Sequence, residues 1–270
     1  MALYLFSFGG MIFLLANDSD PGRALPFLVF GLALGIFGFA RDFKVDSISK
    51  KMFAQDVLYD NQMTPVTTGL DDQAKSLAQS FGEFRRGDHK RGFKQVLQSH
   101  FSGEEHSFTY RYFHFHYVDK RNGSKGSTYY HYDRYGLLVQ FDFAQSMAIQ
   151  NYERQKNWGN KFKTASIRFN KIYKVDAASE MDAAKFLKPK VVVALEDIHH
   201  HFYKPNFEFS PTGELCMSFD DSDLILLQRK HGLNAPDQFI KELQKDNLPK
   251  QLQIALEHIH TLMKYSDSNF

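Results

Sequence analysis

The sequence predicts an α+β protein, in which an N-terminal two-helix transmembrane hairpin precedes a cytoplasmic domain with a mainly antiparallel sheet and helices packed on it. Two apolar runs at Met1–Ala16 and Ala24–Ala40 carry no charged side chain, and a short polar link between such runs is typical of a helical hairpin in a membrane. Aromatic and β-branched residues crowd Phe108–Phe143 around an Asn-Gly pair, which is a strong hairpin signal. The predicted parts are the transmembrane hairpin over 1–40, a juxtamembrane helix and connector over 41–75, and the cytoplasmic domain over 76–270.

The charges next to the second apolar run predict how the hairpin is oriented. Four basic residues follow this run: Arg41, Lys44, Lys50 and Lys51. The link Asn17–Arg23 has one Arg and two Asp, so the positive-inside rule places it outside and both termini in the cytoplasm of a multi-pass membrane protein. Both spans are short, at about 24 and 26 Å against a hydrocarbon core of about 30 Å. A cleaved signal peptide and burial of both runs in a soluble core are the alternative interpretations.

The composition excludes some partners and compartments. The 270 residues carry a net charge of +2 at a mean hydropathy of −0.41. A nucleic-acid-binding protein concentrates Lys and Arg more heavily, so nucleic acid is not an expected partner. A single cysteine forms no internal disulfide, which fits a reducing compartment. We expect this residue, Cys216, to be an inert thiol buried in a strand.

The most basic stretch of the chain is Phe84–Lys94. Its glycines have the spacing of a phosphate-binding loop, but Phe93 stands where that loop needs its Lys, so we reject a nucleotide site. Beside an anionic leaflet, each exposed basic side chain contributes about 1 kcal/mol of attraction to lipid. A solvated basic loop is the alternative. The candidate lipid-binding residues are Arg85, Arg86, Lys90, Arg91 and Lys94.

The strongest β signal is a hairpin with Asn122-Gly123 as its two-residue turn. Its strands are predicted at Phe108–Val118 and Ser127–Tyr135, with a third strand at Leu137–Phe143. Counting outward from this turn sets the register. The expected pairs are Arg121 with Ser124, His114 with His131, His116 with Tyr129, and Tyr112 with Asp133.

That register gathers three imidazoles and one carboxylate on one face of the sheet, from His114, His116, His131 and Asp133. These groups suit Zn or Fe, so the four residues are candidate metal ligands. Their spacing matches no recognised ligand motif, and packing within the sheet is the alternative interpretation. The consecutive rings of His199–His201 fan out too widely on a helix to converge on one ion. We expect no cofactor.

Apolar periodicity and local start signals predict the remaining elements. Ser179 is a predicted helix cap and Pro189 a predicted first helical residue. Helices are predicted at Phe43–Tyr59, Ala144–Trp158, Ser179–Leu187, Pro189–His201, Ala235–Lys245 and Pro249–Tyr265. Strands are predicted at Ala165–Val175, Phe207–Phe209, Leu215–Phe219 and Leu224–Gln228, and the tail Ser266–Phe270 is expected to be loose.

Three stretches carry a resemblance to a known family: Phe84–Phe143, then Phe169-Asn-Lys-Ile-Tyr173-Lys-Val175, and then Asp182-Ala-Ala184-Lys-Phe-Leu187-Lys-Pro189 with Leu195-Glu196 beyond it. They resemble a family of bacterial membrane proteins of unknown function, whose genes often lie beside LemA-type genes. Lys185 and Lys188 depart from the Arg and Thr of that family. The resemblance implies the paired N-terminal spans, a location in the bacterial inner membrane and a LemA-type protein as a partner. It supplies no catalytic residues.

The sequence predicts a membrane-anchored interaction or scaffolding protein more strongly than it predicts an enzyme. No nucleophile, phosphate loop or metal motif outweighs its simpler interpretation, although the question of an enzyme stays open. The alternatives are a module that binds anionic lipid through Arg85–Lys94, and a membrane-surface enzyme or metal site on the face of His114. Besides the lipid bilayer, we expect a protein partner or self-association, because the aromatic strands suit a docking surface. The candidate docking residues are Tyr110, Tyr117, Tyr130, Tyr132 and Tyr135.

Overall fold

The computed structural model describes residues 25–124, 126–151, 158–220 and 223–267. The first predicted span, Met1–Ala16, and the polar link Asn17–Arg23 lie outside these residues, as does the tail from Ser268 onward. The chain forms two compact units, and their described parts fall within 25–56 with 228–247, and within 57–227 with 248–267.

Strands and helices occur largely in separate runs along the chain, as the α+β class predicts. The helices are α1 (Leu25–Asp60), α2 (Leu70–Ser80), α3 (Ile167–Ile172), α4 (Glu180–Phe186), α5 (Pro189–Ile198), α6 (Pro236–Leu243) and α7 (Lys250–Ser266), with a 3-10 turn at Glu83–Arg85. The strands are β1 (Thr64–Pro65), β2 (Lys90–Ser102), β3 (Ser107–Gly123), β4 (Gly126–Gln140), β5 (Met147–Gln150), β6 (Asn160–Phe162), β7 (Lys174–Ala177), β8 (Asn206–Phe209) and β9 (Glu214–Phe219). They form one antiparallel sheet in the order β1-β2-β3-β4-β9-β8-β5-β7-β6. The predicted class, with a mainly antiparallel sheet and helices, is confirmed.

The first unit contains α1 as far as Asp56. This helix runs without a break from Leu25 through the rest of the predicted second span and through the predicted juxtamembrane helix, Phe43–Tyr59. Proline inside a helix breaks or kinks it, and none occurs in α1 after Pro26. No helix in the described part of the chain combines the length and the apolar character needed to cross a membrane.

Polar contacts within the first unit join α1 to the segment before α6. The guanidinium of Arg229 pairs with the carboxylate of Asp46. The Ser49 hydroxyl accepts a hydrogen bond from the backbone N–H of Leu233 at 3.0 Å. These contacts satisfy polar groups that the irregular segment would otherwise leave unpaired.

The sheet of the second unit is covered by apolar clusters on both faces. The larger cluster joins the sheet to α3, α4, α5 and α7, and the smaller one joins it to α2 and the 3-10 turn. Neighbouring residues of a strand point to opposite faces, so Tyr112 lies in the larger cluster and Phe113 in the smaller. Leu137 and Leu138 of β4 are divided in the same way. These strands therefore read as continuous apolar runs, as strands buried on both faces do.

The β3–β4 turn lies two residues further along the chain than predicted. β3 continues to Gly123, which pairs with Gly126, so Asn122 belongs to the strand. Gly126 has a φ of +125°, and Asn122 Oδ1 accepts a hydrogen bond from the Ser127 hydroxyl at 2.8 Å. The predicted pairs are corrected accordingly: His114 pairs with Tyr135, His116 with Asp133, Val118 with His131, and Tyr112 with Leu137.

Two predicted elements, the helix Ala144–Trp158 and the strand Ala165–Val175, are wrong over their described residues, and residues 152–157 of the helix lie outside those residues. Met147–Gln150 forms a strand with all four residues buried, because it pairs with β7 on one side and β8 on the other. A short apolar run does not distinguish a buried strand from a helix by periodicity alone. Within the predicted strand Ala165–Val175, Ser166 caps α3 by accepting a hydrogen bond from the backbone N–H of Phe169 at 3.1 Å.

Strand β2 was not predicted, and the predicted strand Leu224–Gln228 does not form. The Asp223 carboxylate accepts a hydrogen bond from the backbone N–H of Ile225 at 3.0 Å, a local bond that favours a turn over a strand. The other predictions of this region are confirmed within a few residues. Ser179 caps α4, Pro189 opens α5, and β8, β9, α6 and α7 form where expected.

Candidate functional site

The His-bearing face of the sheet receives a lysine through a bulge in β2. The β2–β3 register shifts at Lys94, and such a bulge re-aims the extra side chain. The Lys94 ammonium donates a hydrogen bond to Asp133 Oδ1 at 2.7 Å. His114 Nε2 and His116 Nδ1 donate to the same oxygen, at 2.7 and 2.9 Å. Three donors therefore converge on one carboxylate oxygen.

The fourth predicted member of this cluster, His131, lies beside His116. Their nitrogens Nδ1 and Nε2 are 3.3 Å apart and the rings stack. Burial raises the pKa of Asp133, but the hydrogen bonds from Lys94, His114 and His116 outweigh it and hold the pKa well below its usual range. Among the residues that the structure describes, no group of three or more His, Cys, Asp and Glu side chains is arranged to hold a metal ion. The four candidates meet on one face in a hydrogen-bonded cluster, without the arrangement that a metal needs.

A cleft opens on the opposite face of β3 and β4, beneath the loop that follows the 3-10 turn. Gly87 has a φ of +83°, and an added Cβ would lie only 2.9 Å from Cβ of Tyr117, so this loop lies directly against β3. Asp88 Oδ1 accepts a hydrogen bond from the backbone N–H of Lys120 at 2.7 Å, which fixes the loop beyond the glycine. The cleft measures about 610 Å³, which falls in the usual range of about 300–1,000 Å³ for small-molecule sites.

Arg86 and Arg134 form the floor of the cleft, and the fully buried Glu83 lies beneath them. Arg134 Nε donates to Glu83 Oε1 at 2.6 Å, and Arg86 Nε lies 3.0 Å from the same oxygen. The Ser218 hydroxyl donates to Glu83 Oε2 at 2.9 Å, and Arg134 Nη1 pairs with Asp220 at 3.1 Å. Burial raises the pKa of Glu83, but the charges of Arg134 and Arg86 outweigh it and lower the pKa to about 2. The Arg134 guanidinium is thus held between two carboxylates.

A second buried carboxylate, Glu208 of β8, ties the 3-10 turn to the sheet. It accepts hydrogen bonds from the backbone N–H groups of Gly82 at 2.5 Å and of Glu83 at 3.1 Å. Burial and the negative charge of Glu83 raise the pKa of Glu208 to about 7. Its neighbour on β9, Cys216, is buried, and burial raises the pKa of the thiol well above its usual value. The prediction of a thiol buried in a strand is confirmed, and its raised pKa fits the expectation that it is inert.

Cations outnumber anions along the walls of the cleft. The anionic side chains are Asp88, Asp119 and Asp220, and the cationic ones are Arg85, Arg86, Arg121, Arg134 and Lys204. Arg86 and Arg134, which are 8% and 2% exposed, are neutralised at the floor, and Lys204 pairs with Asp220 at 3.1 Å. Arg85 and Arg121 are instead exposed. The lining as a whole therefore carries more positive than negative side chains, and Arg85 and Arg121 are its exposed cations.

β3 and β4 continue beyond the rest of the sheet as a two-stranded segment, which we call the ribbon (residues 119–123 and 126–131). Pairing of β3 with β2 starts at Val118, and pairing of β4 with β9 starts at Tyr135. Within the described residues, the ribbon strands therefore pair only with each other. No strand among the described residues lies beside their outer edges, although Asp88 accepts the backbone N–H of Lys120 on the β3 side.

Each face of the ribbon carries a tyrosine beside a cation. Lys120 Nζ lies 5.9 Å from the ring centroid of Tyr129, and Arg121 Cζ lies 4.9 Å from that of Tyr130. The two tyrosines are 45% and 40% exposed. Alternation along a strand places them on opposite faces, so the ribbon presents aromatic surface on both sides.

Of the five tyrosines predicted to dock a partner, only Tyr130 is exposed. Tyr110 and Tyr117 are 3% and 8% exposed and belong to the two apolar clusters, so the prediction is wrong for these two. Tyr132 is half-buried and stacks on Tyr117, and half-buried Tyr135 packs against His114. Tyr129 is exposed and is therefore a better candidate docking residue, but it was not predicted.

The five predicted lipid-binding residues do not form one surface. Arg85 and Arg86 line the cleft, whereas Lys94 pairs with Asp133 on the opposite face of the sheet. Lys90 and Arg91 are exposed at the start of β2. These basic side chains point in different directions because the stretch contains a turn, then a strand, then a bulge, and each of these changes the direction of the side chains that follow.

Sequence reasoning missed Arg134, Glu83 and Lys204 as residues of this cleft. One signal was present, because alternation places Arg134 on the same face of β4 as Gly136 and Leu138, which is a face with apolar neighbours. A cation on such a face needs a buried anion. The position of that anion along the chain has no signal in the sequence.

No protein-family model matches this chain, and neither a curated protein nor a solved structure matches it. The fold and its surfaces define an α+β protein with a polar cleft at the base of a projecting β-ribbon.

Proposed function

We propose that this chain is a membrane-anchored binding protein of the bacterial inner membrane, which docks a protein partner through the ribbon and performs no turnover chemistry itself. The observation that carries this proposal is the ribbon, because no other strand among the described residues pairs with its edges and its tyrosines are exposed. Such edges are the usual template for pairing with another extended chain.

The chemistry of the ribbon favours an extended, acidic segment as the docked element. Backbone groups on an open edge supply hydrogen bonds to any extended chain, whereas Tyr129 and Tyr130 supply rigid aromatic area of the kind found at interface hot spots. Lys120 and Arg121 stand beside these rings, and complementary charge on a partner raises the rate and specificity of association. A LemA-type protein is one candidate partner, and a second copy of this chain is another.

The proposed anchor rests on the sequence of residues 1–40. Its two apolar runs have no charged side chain, and basic residues follow the second run, a pattern that favours insertion with both termini inside. The resemblance of Phe84–Phe143 and of the segments around Phe169 and Asp182 to a family of bacterial membrane proteins supports the same location.

The test compares partner recovery by the full-length protein and by Tyr129→Ser/Tyr130→Ser. Both forms are extracted from membranes in mild detergent after cross-linking, and co-purifying proteins are identified by mass spectrometry. The control is Tyr59→Ser, which removes an exposed tyrosine outside the ribbon. Analytical ultracentrifugation of the purified proteins measures self-association in parallel.

We expect the double variant to lose the partner or the self-association, while Tyr59→Ser keeps both. Because exposed surface substitutions cost little stability, about 0.5 kcal/mol or less, the circular dichroism spectrum should not change. Retention of every partner by the double variant, or a wild-type protein that is monomeric and partner-free, would overturn the docking proposal.

A further inference from the structure

We infer that the cleft binds a phosphate monoester group, held by the guanidinium groups of Arg85 and Arg121. This site is a second function of the second unit, distinct from partner docking although Arg121 contributes to both surfaces. The shared chemistry fits two sources of ligand, a phosphorylated small molecule in solution or the headgroup of phosphatidic acid, an anionic phospholipid whose phosphate is a monoester.

The first argument is the availability of these two cations. Arg134 and Arg86 are committed to Glu83 at the floor, and Lys204 pairs with Asp220. In the described part of the chain, no carboxylate pairs with Arg85 or Arg121, although both line the cleft. Their positive charge is therefore uncompensated in the absence of a ligand.

The second argument is that two of the three carboxylates along the cleft are already engaged. Asp88 accepts the backbone N–H of Lys120 at 2.7 Å, and Asp220 pairs with Arg134 and Lys204 at 3.1 Å each. Only Asp119 faces the cleft without such a role. Five cationic side chains line the cleft against three anionic ones, so an entering anion meets a lining with an excess of positive charge.

The third argument is that the structure holds the cleft in shape before any ligand arrives. The buried Glu83 and Glu208 carboxylates fix the 3-10 turn that leads into Arg85, and Gly87 seats the following loop on Tyr117. A preformed site loses less conformational freedom on binding. A guanidinium presents paired N–H donors that match phosphate oxygens, so two of them favour phosphate over a simple halide.

The walls of the cleft indicate what accompanies the phosphate. The rings of Tyr117 and Tyr132 stack with centroids 5.0 Å apart and both line the cleft. Its volume of about 610 Å³ exceeds what one phosphate fills. We therefore expect the organic part of the ligand to lie along these rings.

The test measures binding to purified full-length protein in phosphatidylcholine nanodiscs by isothermal titration calorimetry, with phenyl phosphate and inorganic phosphate as probes. The double variant Arg85→Gln/Arg121→Gln should bind phenyl phosphate at least about tenfold more weakly, because each substitution removes charge-assisted hydrogen bonds to the phosphate. The control Lys90→Gln/Lys174→Gln removes two exposed charges outside the cleft and should change the affinity less than about twofold. Circular dichroism checks that all three proteins are folded.

A second arm identifies the source of the phosphate group. If the lipid headgroup occupies the cleft, nanodiscs containing phosphatidic acid should weaken phenyl phosphate binding to the wild type by competition. If the ligand is soluble, the affinity should be equal in both lipid compositions. Either result supports the site and assigns its source.

The inference is overturned if neither probe binds at millimolar concentration, or if the Arg double variant and the Lys double variant behave alike. Binding is measured without any partner protein, so a failure of the docking proposal leaves this result unaffected. Conversely, a negative result for phosphate binding leaves the partner-recovery experiment on the ribbon tyrosines unaffected.

Discussion

Glu83 is the residue whose charge we expect to matter most for the stability of the fold. Arg134 and Arg86 are both buried and both face its carboxylate. Removal of one member of a buried ion pair leaves an uncompensated charge and costs about 3–5 kcal/mol. Glu83→Gln should therefore lower the free energy of unfolding of the full-length protein by about this amount, measured by urea denaturation at pH 7.

The pH dependence of the same variant provides a second measurement. Because the pKa of Glu83 is about 2 in the fold and 4.5 in its ordinary state, its stabilisation is complete above pH 4.5 and is lost as the pH falls towards 2. Glu83→Gln should lack this loss. The exposed Glu104→Gln should behave as the wild type in both measurements. Equal stability of Glu83→Gln and wild type at pH 7 would show that the network does not hold the cleft.

His258 of α7 should make the protein sensitive to mild acid. Burial, together with the charge of His201, lowers the pKa of His258 to about 3 from an ordinary value of 6.5. The neutral ring fits the fold, so stability is highest above pH 6.5 and is lost as the pH falls towards 3, by at most about 1.4 kcal/mol per pH unit. His258→Leu should remove this loss in thermal melts at pH 7 and pH 4.

The matched control for His258 is His100→Leu, because His100 is exposed on β2. That variant should keep the acid sensitivity of the wild type. No hydrogen bond to Nε2 of His258 is present among the described residues, so the leucine also removes a buried polar atom without a partner, and we expect no loss of stability at pH 7. A His258→Leu protein that still loses stability like the wild type would assign the acid sensitivity to other groups.

Strand β4 depends on a glycine where it passes between β3 and β9. Gly136 pairs with Phe113, and an added Cβ would lie 2.6 Å from the Phe113 ring and overlap the carbonyl oxygen of Met217. The backbone of β9 cannot move aside without breaking its own pairing. Gly136→Ala should therefore cost about 1–3 kcal/mol of stability through overpacking, measured by thermal denaturation.

Gly92 of β2 offers the control for this substitution. A Cβ at Gly92 would meet nothing closer than Asp71 Oδ1 at 4.0 Å. Gly92→Ala should change the free energy of unfolding by about 0.5 kcal/mol or less. If the two variants were equally stable, the close approach at Gly136 would not constrain the sheet.

The proposed anchor leads to a prediction for the whole molecule in the cell. Reporter fusions placed after Phe43 should be active only in the cytoplasm, because Arg41, Lys44 and the lysines that follow disfavour export. A reporter inserted in the link Asn17–Arg23 should be active only outside. Reversing the charge of Arg41 and Lys44 should increase the fraction of inverted protein, and external activity of the wild-type fusion after Phe43 would overturn the topology.

Local patterns in the sequence were sufficient for the class of fold and for the composition of the His face. The turn was misplaced by two residues, yet His114, His116, His131 and Asp133 still share a face. Side chains alternate with a period of two, so an even displacement of the register leaves the same residues together. The helix cap at Ser179 could also be predicted from the sequence, because its side chain accepts a hydrogen bond from a backbone N–H only three residues later.

Only the tertiary structure decided the cleft and the identity of the interior strands. Glu83 bonds to Arg134 across 51 residues and to Ser218 across 135 residues, and no local pattern specifies partners at such distances. Met147–Gln150 became a strand because β7 and β8 lie on either side of it, which outweighed its own helical tendency. Short-range preferences act between neighbours along the chain, whereas the pairing of buried charges and of central strands depends on which distant segments the packed sheet brings together.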